Sequence, residues 1–177
     1  MLSPQAAGAL TTVLRTDTFT HAPTGGLERA ADEVASDYAR GEAAWHEDMC
    51  TARPKTGRAA LKVDFRLYDP VDLIGKTRVA HLHPYEGMCR EVHAGFRTAF
   101  LYVDCVSPRI EGSQEVPVRV AGTLDLDPPW PPDTVAIREA NLTALHAATL
   151  ALVKRLGCGN NAGLPDRAVL KKSGKVT

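Results

Sequence analysis

At 177 residues, 44% hydrophobic and 24% charged, the chain has the composition of one ordinary globular domain, long enough for a real core. Its 21 Lys and Arg equal its 21 Asp and Glu, and the aromatic residues, 6% of the chain, do not interleave with basic ones, which argues against a nucleic-acid partner. Nothing approaches the uninterrupted apolar length of a membrane span, and MLSPQAAG lacks the basic and apolar regions of a signal peptide, so membrane attachment is expected only through an anchor not present in this chain.

Ser3-Pro4 is a cap followed by proline at the first helical position, and Leu10, Val13 and Leu14 then share one face. TDTFTHAPTGG, with Pro23, Gly25 and Gly26, reads as a loop. A second helix is expected over 27–40, with Leu27, Ala31, Val34 and Tyr38 as its stripe and Gly41 as its stop.

From Ala44 the period changes. AWHEDMC is a weakly patterned strand candidate, whereas 59–68 alternates Leu61, Val63, Phe65 and Leu67 against Lys62, Asp64, Arg66 and Tyr68, as a half-buried strand should. Asp69-Pro70 turns the chain, and 71–97 reads mostly as loop with one strand candidate over 77–82. TAFLYVDCV (98–106) is apolar on both faces and belongs inside the sheet. A turn-rich connection over 107–114 leads to a long alternation over 116–126, with Pro117 expected at an edge or bulge. Pro131 and Pro132 end it. The run 133–158 then carries Leu142, Leu145, Thr149, Leu152 and Leu156 at steps of three and four, with Lys154 and Arg155 in its last turn and Gly157 as its stop.

This order implies an α+β fold: an antiparallel sheet of about four to five strands with helices packed on one face, two of them N-terminal and one long and C-terminal. Residues 1–163 form a single domain in this reading, and 164–177 a basic, flexible tail.

Four dispersed cysteines, Cys50, Cys89, Cys105 and Cys158, form no CxxC pair, which argues against a zinc knuckle or a thioredoxin-type site. They suit two disulfides with three connectivities, or buried thiols in a reducing compartment. The best metal candidate is VAHLHPYEGMCREVH: His81 and His83 share a face if the segment is a strand, and His93, with Glu86, Cys89 and Glu91, could complete the ligand set. Isolated surface histidines are the commoner explanation. HEDM (His46, Glu47, Asp48) beside Cys50 hints at a Cys/His nucleophile, although adjacency in sequence does not establish geometry. Asp125 and Asp127 lack a visible cleft, GCGNNAG follows a helix where a phosphate loop precedes one, and Asn141-Leu142-Thr143 falls inside a helix. No residue pattern points to a catalytic centre or a bound cofactor.

FLYVDCVSPRI, IREANLTALHAATLALVKRLGC and NAGLPDR resemble segments of uncharacterised actinobacterial proteins that are exported or membrane-anchored. The resemblance implies an extracytoplasmic domain of the cell envelope with oxidised cysteines, at Cys50, Cys105 and Cys158 before Cys89, and a protein or small-molecule partner. A metal-dependent hydrolase using His81, His83 and His93, and a cytosolic interaction domain with free thiols, are the competing expectations.

Overall fold

The structure is a computed structural model, and it describes residues 3–22, 26–42, 50–55, 60–75 and 79–172, with His21 and Ala22 placed through their backbone only. The first helix, α1 (Pro4–Leu14), begins as its sequence requires: the Ser3 side chain accepts from the Ala6 amide, and Pro4 fills the position where no donor is needed. Strand β1 (Phe19–Ala22) follows, then α2 (Gly26–Arg40), β2 (Cys50–Pro54) and β3 (Leu61–Leu67). Beyond a short 3-10 turn come β4 (His83–Glu86), β5 (Glu91–Ala94), β6 (Thr98–Cys105) and β7 (Val118–Leu126). The longest helix, α3 (Val135–Leu156), and a two-residue strand, β8 (Lys171–Lys172), complete the chain.

All described strands join one antiparallel sheet in the order β1-β2-β3-β7-β6-β5-β4-β8, with α3 lying on one face and α1 and α2 packed against α3. The α+β class, the antiparallel pairing and the three helices stand as the sequence implied. The sheet is larger than four to five strands: it has 8. The additional strands β1, β4 and β5 are four residues each and half polar, too short for alternation to stand out, and β8 is shorter still. The weak strand candidate over 44–50 lies outside the described residues except for Cys50, which opens β2, and of the candidate over 77–82 the described part, 79–82, is not a strand. Pro117 sits just outside β7, so the ladder never needs its missing amide.

Close packing of α3 depends on Gly122. A Cβ there would lie 3.0 Å from Thr149 Oγ1, 3.1 Å from Phe65 Cε1 and 3.2 Å from Leu145 Cδ1, so the helix rests almost directly on the β7 backbone. Around this point Leu101, Leu124, Leu142, Leu145 and Leu152 are fully buried. At the far end of α3, Thr134 has capped the first turn through the Ile137 amide, and Gly157 takes the left-handed stop at φ 76°. The helix C-terminus is then clamped to the β6–β7 connection: buried Ser107 donates to the Leu156 carbonyl at 2.7 Å, the Gly159 amide donates to Val106, and Cys105 is disulfide-bonded to Cys158.

Only one disulfide forms. Cys50 and Cys89 are free thiols. Strands β3, β7 and β6 separate β2 from β5, a gap of roughly 19 Å at sheet spacing, and a bridge needs Cα atoms within about 7 Å. Expectations of a second bridge, or of an oxidised Cys50, are therefore corrected within the single chain. The residues expected to form a loose tail are docked as far as Lys172: Leu164 is buried, the Val169 amide reaches Met88 Sδ at 3.2 Å, and β8 pairs with β4.

Substituting Gly122 with valine should cost about 1–3 kcal/mol by overpacking, and Leu145→Ala about 2–5 kcal/mol, both read by urea denaturation. Losses below half a unit in both would place α3 off the sheet. Reducing Cys105–Cys158 should cost about 2–4 kcal/mol by releasing its loop and lower Tm by roughly 5–15 °C; an unchanged melting curve after verified reduction would contradict the staple.

Candidate functional site

The three histidines proposed as metal ligands do not converge. In the β4–β5 ladder His83 lies across from Ala94 and Pro84 across from His93, so His83 and His93 project from opposite faces of the sheet. His81 precedes the strand and has a left-handed backbone (φ 64°), which removes the period-two relation to His83. His81 Nδ1 lies 3.7 Å from Asp133, while His83 Nε2 accepts from the Arg138 guanidinium at 2.9 Å. Burial and then the Arg138 charge hold the His83 pKa below its ordinary value, consistent with a neutral ring that accepts there. Among the described residues no group of three His, Cys, Asp or Glu side chains is placed to hold a metal ion.

His93 belongs instead to the sheet face that the helices leave free. It is 3% exposed, and its Nε2 lies 2.9 Å from Glu91 Oε1; the Glu91 carboxylate also accepts from the Gly75 amide at 2.9 and 3.1 Å. Residues 69–75 thus cross this face as a strap. Arg66 pairs with Asp72 at 3.3 Å, Tyr102 donates to the Asp72 carbonyl at 3.4 Å, and Leu73 covers a small apolar patch of Tyr68, Tyr102 and Ala121. Tyr68 donates to Asp104 Oδ1 at 2.5 Å, and Arg90 takes the other oxygen at 3.0 Å. Burial first, and then the Asp104 hydrogen bond, push the Tyr68 hydroxyl upward.

Each of these carboxylates has a cationic, imidazole or hydroxyl partner, and burial pushes the Cys89 thiol up to about 12, where it is not a thiolate. The Cys50 thiol is also raised, by partial burial and then by Asp64, although the residue as a whole is exposed. The HEDM residues lie outside the described residues. Asp125 is exposed on β7, Asp127 pairs with Lys62 at 3.6 Å, GCGNNAG forms a 3-10 turn behind the disulfide, and Asn141 is completely buried, closed to glycosylation.

A different arrangement stands at the end of the sheet nearest the start of α3. Trp130 is 48% exposed, and its indole donates to the Leu126 carbonyl at 3.0 Å. Pro128, Pro129, Pro131 and Pro132 flank it and fix φ on both sides. Phe96, at the tip of the β5–β6 hairpin, meets Trp130 edge-on with centroids 6.3 Å apart, and His81 meets Phe96 likewise at 5.6 Å. The Arg97 guanidinium lies 5.4 Å from the Trp130 centroid and 6.0 Å from that of Phe96.

The backbone under this platform is tied tightly. The Leu126 amide donates to Arg97, Gly95 closes the hairpin onto Thr98, and buried Asn141 of α3 donates to the Gly95 carbonyl at 2.9 Å. A Cβ at Gly95 would sit 2.5 Å from the His81 carbonyl, so glycine is what lets these two segments meet. Sequence reasoning passed over the platform because its parts come from three distant segments; DPPWPPD, a tryptophan between proline pairs, was the signal that could have found it. With this geometry in hand, comparison with known proteins found no matching family model, curated protein or solved structure.

Two outcomes are expected here. Glu91→Ala removes the acceptor of the Gly75 amide and strands His93, at a cost of about 1.5–3 kcal/mol for a hydrogen bond to a charged group; hydrogen exchange at Gly75 should accelerate, and unchanged protection would mean that Glu91 does not hold the strap. His146 in α3 is 2% exposed, and burial lowers its pKa from 6.5 despite the opposing Pro165 carbonyl. Its neutral form favours the fold, so stability is complete above 6.5 and falls as the pH drops from there toward the lowered folded value. Denaturation midpoints across that window should decline in the wild type and flatten in His146→Gln; equal slopes would remove His146 as the cause.

Proposed function

We propose that the chain is a non-enzymatic, extracytoplasmic domain of the cell envelope that binds a partner through the surface around Trp130. The observation that carries this reading is Trp130 itself: a half-exposed indole fixed by its own hydrogen bond, with an arginine laid against it. Tryptophan and arginine dominate the energetics of protein interfaces when they are held rigid, because little rotamer freedom is lost on binding. The Cys105–Cys158 disulfide supports an oxidising compartment. No helix among the described residues is long and apolar enough to cross a membrane.

A binding role is further supported by the free sheet face, where the acids and bases described above pair with one another. A hydrolase built on His81, His83 and His93 has no such support, since His83 and His93 project from opposite faces of the sheet and His81 precedes the strand. A cytosolic interaction domain draws on one observation, the free thiols of Cys50 and Cys89.

Intact mass of the protein from its native cells, alkylated before and after reduction, separates the compartments. The extracytoplasmic reading expects two cysteines blocked before reduction and all 4 after; four blocked at the outset would make the protein cytosolic. For binding, a photo-crosslinking residue placed at Phe96 should yield one discrete adduct in those cells, while the same probe at exposed Val71 of the strap should not. Capture at neither position, or equal capture at both, would remove the platform as the contact surface.

A further inference from the structure

We infer that the Trp130 surface receives an extended acidic segment of another protein, one carboxylate seated on Arg97 and a neighbouring proline or aliphatic side chain on the exposed indole; this rests on the partner-binding reading above. Arg97 is exposed, and among the described residues its guanidinium makes no ion pair or hydrogen bond, only the two ring contacts. Its five N–H donors therefore stand beside two aromatic rings without a protein acceptor among the described residues. Guanidinium geometry matches a carboxylate through two parallel hydrogen bonds, and stacking on the rings has already restricted the side chain.

The surrounding charges select the sign of the ligand. Arg138 is spent on Asp133 at 2.6 Å and on His83, and Asp133 is the carboxylate nearest His81, so that group is internally matched. Arg97 itself carries a positive charge with no carboxylate paired to it among the described residues, while Lys172 lies near enough to His83 to lower its pKa and exposed Asp125 stands across from Thr98. One unmatched cation suits an isolated carboxylate. Beside Arg97 the exposed part of the indole is apolar and rigid, a surface on which a proline ring or aliphatic chain of an extended peptide packs well.

The test follows the Trp130 indole N–H in a proton–nitrogen correlation spectrum of the whole chain, with the peak assigned by its loss in Trp130→Phe. The probe is a Gly/Ser peptide with a central Pro-Glu-Pro, titrated to about 1 mM, the weak limit for a specific contact. Pro-Gln-Pro and Pro-Lys-Pro versions and an oligogalacturonate serve as competitors. The expected result is a saturable shift with the glutamate peptide, at least about tenfold weaker binding of the glutamine peptide, and silence from the lysine peptide. Arg97→Gln should reduce the glutamate peptide to the level of the glutamine one while leaving the rest of the spectrum in place. Equal binding of the glutamate and glutamine peptides, no shift with the glutamate peptide, or a preference for the oligogalacturonate would overturn the inference. If the Phe96 probe crosslinks a partner that is indifferent to Arg97→Gln, the acidic assignment falls and the binding reading stands; if it captures nothing, both fall.

Discussion

The contact between α3 and β7 at Gly122 sets the spacing of the whole molecule. With no side chain at that point, Thr149 and Leu145 descend onto the strand, and the leucines around them are fully buried. Helices α1 and α2 reach the sheet largely by packing on α3, so they inherit its position. The same helix holds the two ends of the domain together. Its C-terminus is fastened by Ser107, the Gly159 amide and the disulfide, and its first turns are fastened by Asn141 to the hairpin that presents Phe96 and Arg97.

Polar chemistry is distributed unequally over this scaffold. The free face of the sheet carries many ionisable groups, yet they satisfy one another: Glu91 with His93 and the strap, Asp104 with Tyr68 and Arg90, Arg66 with Asp72. Matched groups of this kind fix a conformation and leave little field to act on a substrate. At the platform the balance is reversed. There the aromatic rings are only partly covered, and the Arg97 guanidinium lies over them without a carboxylate partner among the described residues.

Much of the architecture was legible because its signals were local. Ser3-Pro4 and Gly157 act within one turn of the helices they bound, and the alternations in β3, β6 and β7 span enough residues to declare a period. The shorter strands were hidden for a physical reason: in β4 and β5 the residues on the free face are polar or proline, and four positions cannot separate a strand from a loop. The histidine set failed on register. His81 and His83 are related by two residues only if both lie on a strand, and which face His83 takes relative to His93 is decided by a ladder that sequence does not display. Cysteine connectivity was undetermined for the same reason, since it depends on how many strands lie between β2 and β5.

The strand order has a kinetic consequence. Strands β4, β5, β6 and β7 are neighbours both in the chain and in the sheet, and so are β1, β2 and β3 apart from the helix between the first two. The two blocks meet only where β3 pairs with β7, across a long stretch of intervening chain, and that closure carries a loop-entropy cost that the neighbouring hairpins do not. Until it occurs, β3 and β7 each offer an unpaired edge with Val63 and Phe65 or Val120 and Leu124 uncovered, the kind of surface that captures other chains. The β3–β7 seam is thus the pairing whose delay would leave two long strand edges open to other chains.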